Sequence, residues 1–293
     1  MSLDRETLLG VAHAERQRLG RMIQYAKPET WEMPSAAAGW WNRDVMAHLG
    51  AGDTLAAQLV AGEPTTELQE FRETLEGAEV SLDAFNTWTV ARRSGLSTRE
   101  ILTLWGQAAE SFLTFAAMLD PQEWASRRFD YVAGPIAAAY LVQTRVVEWW
   151  LHGEDMRATN GLGPEIQHWP IFLSIDLAVR MLPWSLGQAG LDLSGRSVMV
   201  RVEGAGEGTW HWGLGPGEVP GSHANADALI TGRAPQLALV AGGRLDPDEA
   251  TAAGSLVLGG DRQIASTVLR SLRAYPERVT IGRLSPDGSR SAV

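Results

Sequence analysis

Apolar residues recur at helical spacing through the first half of the chain. Leu8, Ala12, Leu19 and Ile23 mark one side of a first helix. It must end near Lys27-Pro28, because the residue before a proline is pushed out of the helical region. A connector from Trp31 to Trp41 follows, carrying Pro34, Ser35 and Gly39. Asn42 reads as the N-cap of a second helix running to about Ala61, with Asp44 in its first turn and Gly62-Glu63-Pro64 as its stop. The polar stretch to about Ser94 holds a further helix. Ser97 and Glu100 then form a capping box, and Ile101, Leu104, Trp105, Ala108, Phe112, Phe115 and Leu119 repeat at helical spacing until Asp120-Pro121. A last long helix opens at Gly134-Pro135, proline suiting a first turn, and closes around Asn160-Gly161. Four principal helices with such faces predict an antiparallel four-helix bundle.

The pattern then changes. Gly161-Leu162-Gly163-Pro164 reads as a linker, and it divides the chain into domains at 1–162 and 163–293. A helix from about Ile166 to Leu186 follows, despite Pro170 and Pro183. Ser197 to Val202 and Thr209 to Trp212 alternate as strands do, and Ala228 to Thr231 is a shorter strand. Pro235 to Ala241 and Arg262 to Leu272 look helical. The second half is therefore α+β, an antiparallel sheet with helices, beside an all-helical first half.

Composition narrows the possible chemistry. The chain has 293 residues, enough for two domains, with a hydrophobic fraction of 45% and a charged fraction of 20%, both normal for a globular protein. It contains no apolar run of about 18 residues, so no transmembrane helix is expected. Met1 to Gly10 lacks a signal-peptide core, so a cytoplasmic location is the default. There is no cysteine, which excludes disulfides, thiolate metal sites and a cysteine nucleophile. Any sulfur nucleophile would have to arrive on a small molecule. The net charge of −10, without a long basic run, argues against a nucleic-acid or anionic-membrane surface. The 12 tryptophans read first as large filler for core and clefts.

One constellation carries metal chemistry. Glu148 and His152 are four residues apart, so they share a helix face and can point at one ion. A carboxylate oxygen and a neutral imidazole nitrogen together suit zinc and similar divalent ions. The bland alternative is a surface Glu–His contact. Position argues for more: the pair lies in Val146-Val147-Glu148-Trp149-Trp150-Leu151-His152, where buried polar groups need partners. His48, polar within the apolar Val45-Met46-Ala47-His48-Leu49, is the best third ligand, since residues on facing bundle helices converge inside. Three protein ligands leave a fourth position open, as in catalytic rather than structural zinc sites. Asp44 and Asp155, each one turn from a ligand, are placed to orient an imidazole; ordinary surface charge is the competing reading.

Other polar residues carry less. His13 reads as a surface or boundary residue, His168 lies by the linker, His211 sits between two tryptophans in a strand, and His223 falls in a glycine-rich loop. A substrate carboxylate would call for cations. Arg127, Arg128, Arg145, Arg201 and Arg244 are the candidates, each weighed against plain surface solubility. Arg145, one turn before Glu148, is the best placed to meet a substrate anion.

Two segments resemble a known family. Trp31-Glu32-Met33-Pro34-Ser35, Gly39-Trp40 and Arg43-Asp44-Val45-Met46-Ala47-His48-Leu49 look like the opening signature of the mycothiol-dependent maleylpyruvate isomerase family. Arg145-Val146-Val147-Glu148-Trp149-Trp150-Leu151-His152-Gly153-Glu154-Asp155 resembles its second signature. The resemblance implies a DinB-like N-terminal bundle with His48, Glu148 and His152 as metal ligands. Ala226-Asp227-Ala228-Leu229-Ile230-Thr231-Gly232-Arg233 and Gly259-Gly260-Asp261 resemble the family's C-terminal domain, which is similar to sterol-carrier proteins.

What this implies is a metal-dependent enzyme, zinc the first choice of ion, that uses an external low-molecular-weight thiol such as mycothiol on a small electrophilic substrate. A thiol bound to the metal would lose its proton near neutral pH, and the thiolate is the competent nucleophile. Addition, bond rotation and elimination would isomerise a double bond; release of the adduct would be a transfer. Two rival readings stay open at this stage: a non-catalytic protein that binds an apolar ligand around a structural metal, and a zinc–water hydrolase. Oligomeric state is not legible in the sequence.

Overall fold

The computed structural model describes residues 3–75, 80–130, 134–215, 225–275 and 280–281. Cα packing divides the chain into two compact units, Met1–Arg145 with Glu277–Val293, and Val146–Pro276.

The first unit is built on helices α1 (Arg5–Tyr25), α2 (Asn42–Ala61), α3 (Thr66–Thr74), α4 (Leu82–Arg92), α5 (Thr98–Met118), α6 (Pro121–Ser126) and the opening turns of α7 (Ala138–Thr159). Four of these, α1, α2, α5 and α7, are long, at 20 to 22 residues each. Each short-range signal has a physical counterpart. The Asp4 carboxylate accepts from Thr7 N–H at the start of α1, and its buried stripe, Leu8, Val11, Ala12, Glu15, Arg18 and Leu19, follows the helical period. Glu15 and Arg18 neutralise each other within that stripe, with Arg18 Nη2 donating to Glu15 Oε1 at 2.6 Å. At the start of α5 the Ser97 N–H donates to Glu100 at 2.7 Å, completing the expected capping box. Gly62 ends α2 at φ 73°, a left-handed position suited to glycine. Packing of α2 along α5 is close: a Cβ on Gly50 would lie 3.5 Å from the Trp105 Cα.

Several boundaries differ from the sequence reading. Asn42 is the first helical residue of α2 rather than its cap. It is wholly buried, and its amide donates to the Thr30 carbonyl at 2.8 Å. Asp44 closes the helix start instead, accepting from Trp41 N–H at 3.0 Å. The stretch before Ser94 holds two helices, α3 and α4, joined by a packed aromatic group of Phe71, Phe85 and Trp88. Leu104 faces away from the core and is 44% exposed. Pro135 does not open α7. Strand β2 (Arg128–Phe129) pairs antiparallel with β3 (Ile136–Ala137), and the helix begins only after that hairpin.

Val146–Pro276 contains the rest of α7, then α8 (His168–Gln188), β4 (Ser197–Glu203), β5 (Gly208–Gly213), β6 (Ala228–Arg233), α9 (Ala234–Ala241), α10 (Pro247–Ala252), β7 (Leu256–Gly260) and α11 (Arg262–Ser271). The break between α7 and α8 falls where the glycines predict it. The Arg157 guanidinium holds the Gly163 carbonyl at 3.0 Å, and Glu165 N–H donates to Glu154 at 3.1 Å. The sheet runs in the order β5-β4-β6-β7 and is mixed, not antiparallel throughout: β4 pairs with β6 in parallel. Alternation in each strand sets one face against α8, α9 and α11, with Val198, Val200, Ala228, Ile230 and Leu256 buried there. Strand β7 and helix α10 had no counterpart in the sequence reading. A two-residue pair of β1 (Val80–Ser81) with β8 (Thr280–Ile281) completes the strands among the described residues. No helix among those residues is long and apolar enough to cross a membrane.

Candidate metal centre

Every residue of helix α7 from Leu141 to Met156 is buried except Glu148, which is partly exposed, as is Arg157 beyond. Such a helix must find a partner for each polar group it carries. Trp149 and Trp150 are fully buried, so both act as packing residues. Glu148 stands just before them and His152 one turn after Glu148, on one face.

Three donors converge. One ligand-capable atom each of His48, Glu148 and His152 lies within 4.8 Å of the others, and this is the group of its kind among the described residues. His152 Nε2 is 3.4 Å from Glu148 Oε2. Bonds of about 2.1 Å in a tetrahedral zinc shell put neighbouring donors roughly 3.4 Å apart, so this edge already has the right length. His48 is 9% exposed and His152 7%, and the Trp40 ring leans on the His48 imidazole with centroids 4.9 Å apart. Two imidazoles and one carboxylate, mostly shielded from water, form a donor set that fits a divalent ion such as zinc.

A second tier of residues holds His152. Its Nδ1 lies 2.8 Å from Asp155 Oδ2. Asp155, wholly buried, is gripped in turn by Arg244: Nε donates to Oδ1 at 3.0 Å and Nη2 to Oδ2 at 2.7 Å. Burial pushes the Asp155 carboxyl pKa up, but hydrogen bonds from His152 and Arg244 outweigh it and bring it down to about 2. Burial also opposes a charged His152, yet the hydrogen bonds to Asp155 and Glu148 prevail and hold its pKa above the ordinary imidazole value. Asp44, one turn before His48, caps α2 instead.

Arg145 is buried, and its Nε donates to the equally buried Asp53 at 2.6 Å. Arg127 lies over the Phe129 ring, and Arg128 holds the Ala125 carbonyl. Arg201 is exposed on β4. Neither His13 nor His211 joins the donor group, and His168 Nδ1 accepts from Gly206 N–H at 3.1 Å. His223 lies outside the described residues. The Asp155–Arg244 pairing was missed by sequence reasoning. The two residues are 89 positions apart, and no local pattern marks such a pair.

Comparison with known proteins supplies context. Residues 12–157 match the sequence profile of the mycothiol maleylpyruvate isomerase N-terminal domain. Two uncharacterised proteins of Mycobacterium tuberculosis, from strains CDC 1551 / Oshkosh and H37Rv, are each 25% identical over 227 residues, covering 75% of this chain and 82% of theirs. The crystal structure of the mycothiol-dependent maleylpyruvate isomerase superposes with a TM-score of 0.58 at 17% identity, covering 88% of this chain and 93% of that one. A histidine-to-alanine mutant of that enzyme gives a TM-score of 0.59 at 16% identity over the same shares. At these identities the structural likeness concerns the two-domain fold.

Proposed function

The chain belongs, through its N-terminal domain, to the mycothiol-dependent maleylpyruvate isomerase family, and on that premise we propose a metal-dependent enzyme that uses an external small thiol. In this reading His48, Glu148 and His152 hold one divalent ion, zinc by preference, and the substrate is a small electrophile that is isomerised or joined to the thiol. The convergence of those three donors carries the proposal. When bound, the ion would supply Lewis acidity that lowers the pKa of a coordinated thiol. The protein groups do the rest. Glu148 offers the one anionic donor of the three. His152 lies between two carboxylates, with Asp155 Oδ2 2.8 Å from its Nδ1 and Glu148 Oε2 3.4 Å from its Nε2. The chain has no cysteine of its own, so a sulfur nucleophile has to be brought in.

The role proposed for Arg145 takes a narrower form. Asp53 already supplies one carboxylate to its guanidinium, so a substrate anion would have to share it. The proposal keeps a metal-binding part at 1–162 and an α+β part at 163–293; the helix break after Thr159 supports that boundary, whereas Cα packing divides the chain earlier, after Arg145.

The test is turnover of a maleylpyruvate-like cis-enoate by zinc-loaded protein, with mycothiol, with glutathione and with no thiol. Turnover that requires a thiol supports the reading. Equal hydrolytic turnover without any thiol would replace it with a hydrolase.

A further inference from the structure

We infer that Asp155 is a positioning residue which, held in place by Arg244, fixes the His152 imidazole in the tautomer that can bind a metal. The inference rests on the metal reading above, but it makes a separate claim about one proton.

The imidazole stands between two carboxylates. Glu148 Oε2 lies 3.4 Å from Nε2, and Asp155 Oδ2 lies 2.8 Å from Nδ1. A neutral imidazole has one N–H to give. If the proton sits on Nε2, it points at Glu148 and the lone pair needed by a metal is lost. If it sits on Nδ1, it donates to Asp155 and Nε2 is free to coordinate. The shorter contact is the one to Asp155, and that carboxylate is wholly buried. It is therefore the better acceptor, provided it stays ionised and cannot rotate away.

Arg244 meets both conditions; its Nη2 also comes within 3.5 Å of His152 Nδ1, a longer approach than its 2.7 Å bond to Asp155 Oδ2. Its guanidinium engages both oxygens of Asp155, at 3.0 Å and 2.7 Å, a two-pronged grip that fixes the carboxylate plane. A third bond, from Arg244 Nη1 to the Gly242 carbonyl, anchors the arginine to the end of α9. The close fit of that turn is visible at Gly242, where a Cβ would collide with the Leu151 side chain, the neighbour of His152. A residue of the sheet-bearing part thus sets the protonation geometry of a ligand on α7. Lysine at 244 would keep the charge but could not grip both oxygens in this way.

The test uses full-length, metal-free protein at about pH 9, above the usual imidazole range, with the His152 ring nitrogens read by nitrogen-15 NMR. Zinc affinity is measured separately by chelator competition, and folding by thermal unfolding. Wild type should show the proton on Nδ1. Asp155→Asn should move it to Nε2 and weaken zinc binding about 10–100-fold, the usual effect of losing such a partner. A folded Asp155→Asn protein that keeps the Nδ1 proton overturns the inference, whatever its zinc affinity. If Asp155→Asn does not fold, Arg244→Gln decides. It should weaken zinc binding about tenfold and mix the two tautomers; unchanged tautomer and affinity overturn the inference. If the tautomer shifts as stated while wild type binds no zinc, the positioning claim stands and the metal reading falls.

Discussion

Replacing Arg145 with methionine should cost the protein a large part of its stability, whatever happens to activity. The side chains of Arg145 and Asp53 are 9% and 0% exposed, and Nε donates to Oδ1 at 2.6 Å. Methionine keeps much of the length and apolar volume but takes the guanidinium from Asp53, leaving a carboxylate that water does not reach. Breaking one side of such a pair typically costs about 3–5 kcal/mol, roughly a fifth or more of the ~5–15 kcal/mol that holds most domains together. Removing both charges, as Arg145→Met with Asp53→Leu, should recover most of that loss. A companion change gives a sign test. Gly52→Ala would favour the helix by about 1 kcal/mol if nothing stood nearby. Here the new Cβ would lie 2.9 Å from Arg145 Nη1 and 3.2 Å from Cζ, on a guanidinium that Asp53 prevents from moving. Gly52→Ala should therefore destabilise. The assay is urea unfolding of the full-length metal-free chain, followed by tryptophan fluorescence. If Arg145→Met stays within about 1 kcal/mol of wild type, the buried pair does not have the structural weight assigned to it.

Other outcomes follow from the same geometry. Glu148→Gln should lower zinc affinity at least tenfold with little change in unfolding, because the amide keeps the shape but removes the one anionic donor; unchanged affinity would withdraw Glu148 as a ligand. Asp155 has its pKa lowered from 3.8 to about 2 in the folded state, so it contributes roughly 2 kcal/mol of stability above pH 4 that is lost as pH falls toward 2. Acid titration of wild type against Asp155→Asn should show that gap closing over this window. The raised pKa of His152 means a proton competes with the metal, so zinc affinity should climb about tenfold per pH unit until that pKa is passed; an affinity flat from pH 6 to 8 would contradict it.

The sequence disclosed what local rules encode. Periodicity placed α1, α2, α5, α7 and α8, and the Ser97–Glu100 box and Gly62 placed two of their ends, because the causes act within a few residues. The Glu148–His152 pair was legible for the same reason: it lies on one turn. Errors arose where a residue serves a distant partner. Asn42 looks like a cap by type, but its amide is used on Thr30, and Asp44 does the capping. Pro135 looks like a helix start, but a small hairpin takes the residues after it. The parallel pairing of β4 with β6 and the grip of Arg244 on Asp155 depend on chain closure over tens of residues, which no local pattern records.

The central claim is that His48, Glu148 and His152 together hold one metal ion. Mass-spectrometric metal analysis of zinc-loaded, desalted protein tests it directly, in wild type and in the His48→Ala and His152→Ala variants. The account predicts about one zinc per chain in wild type and far less in both variants, since two remaining donors hold zinc poorly. Full zinc content in both variants, or none in folded wild type, would contradict it.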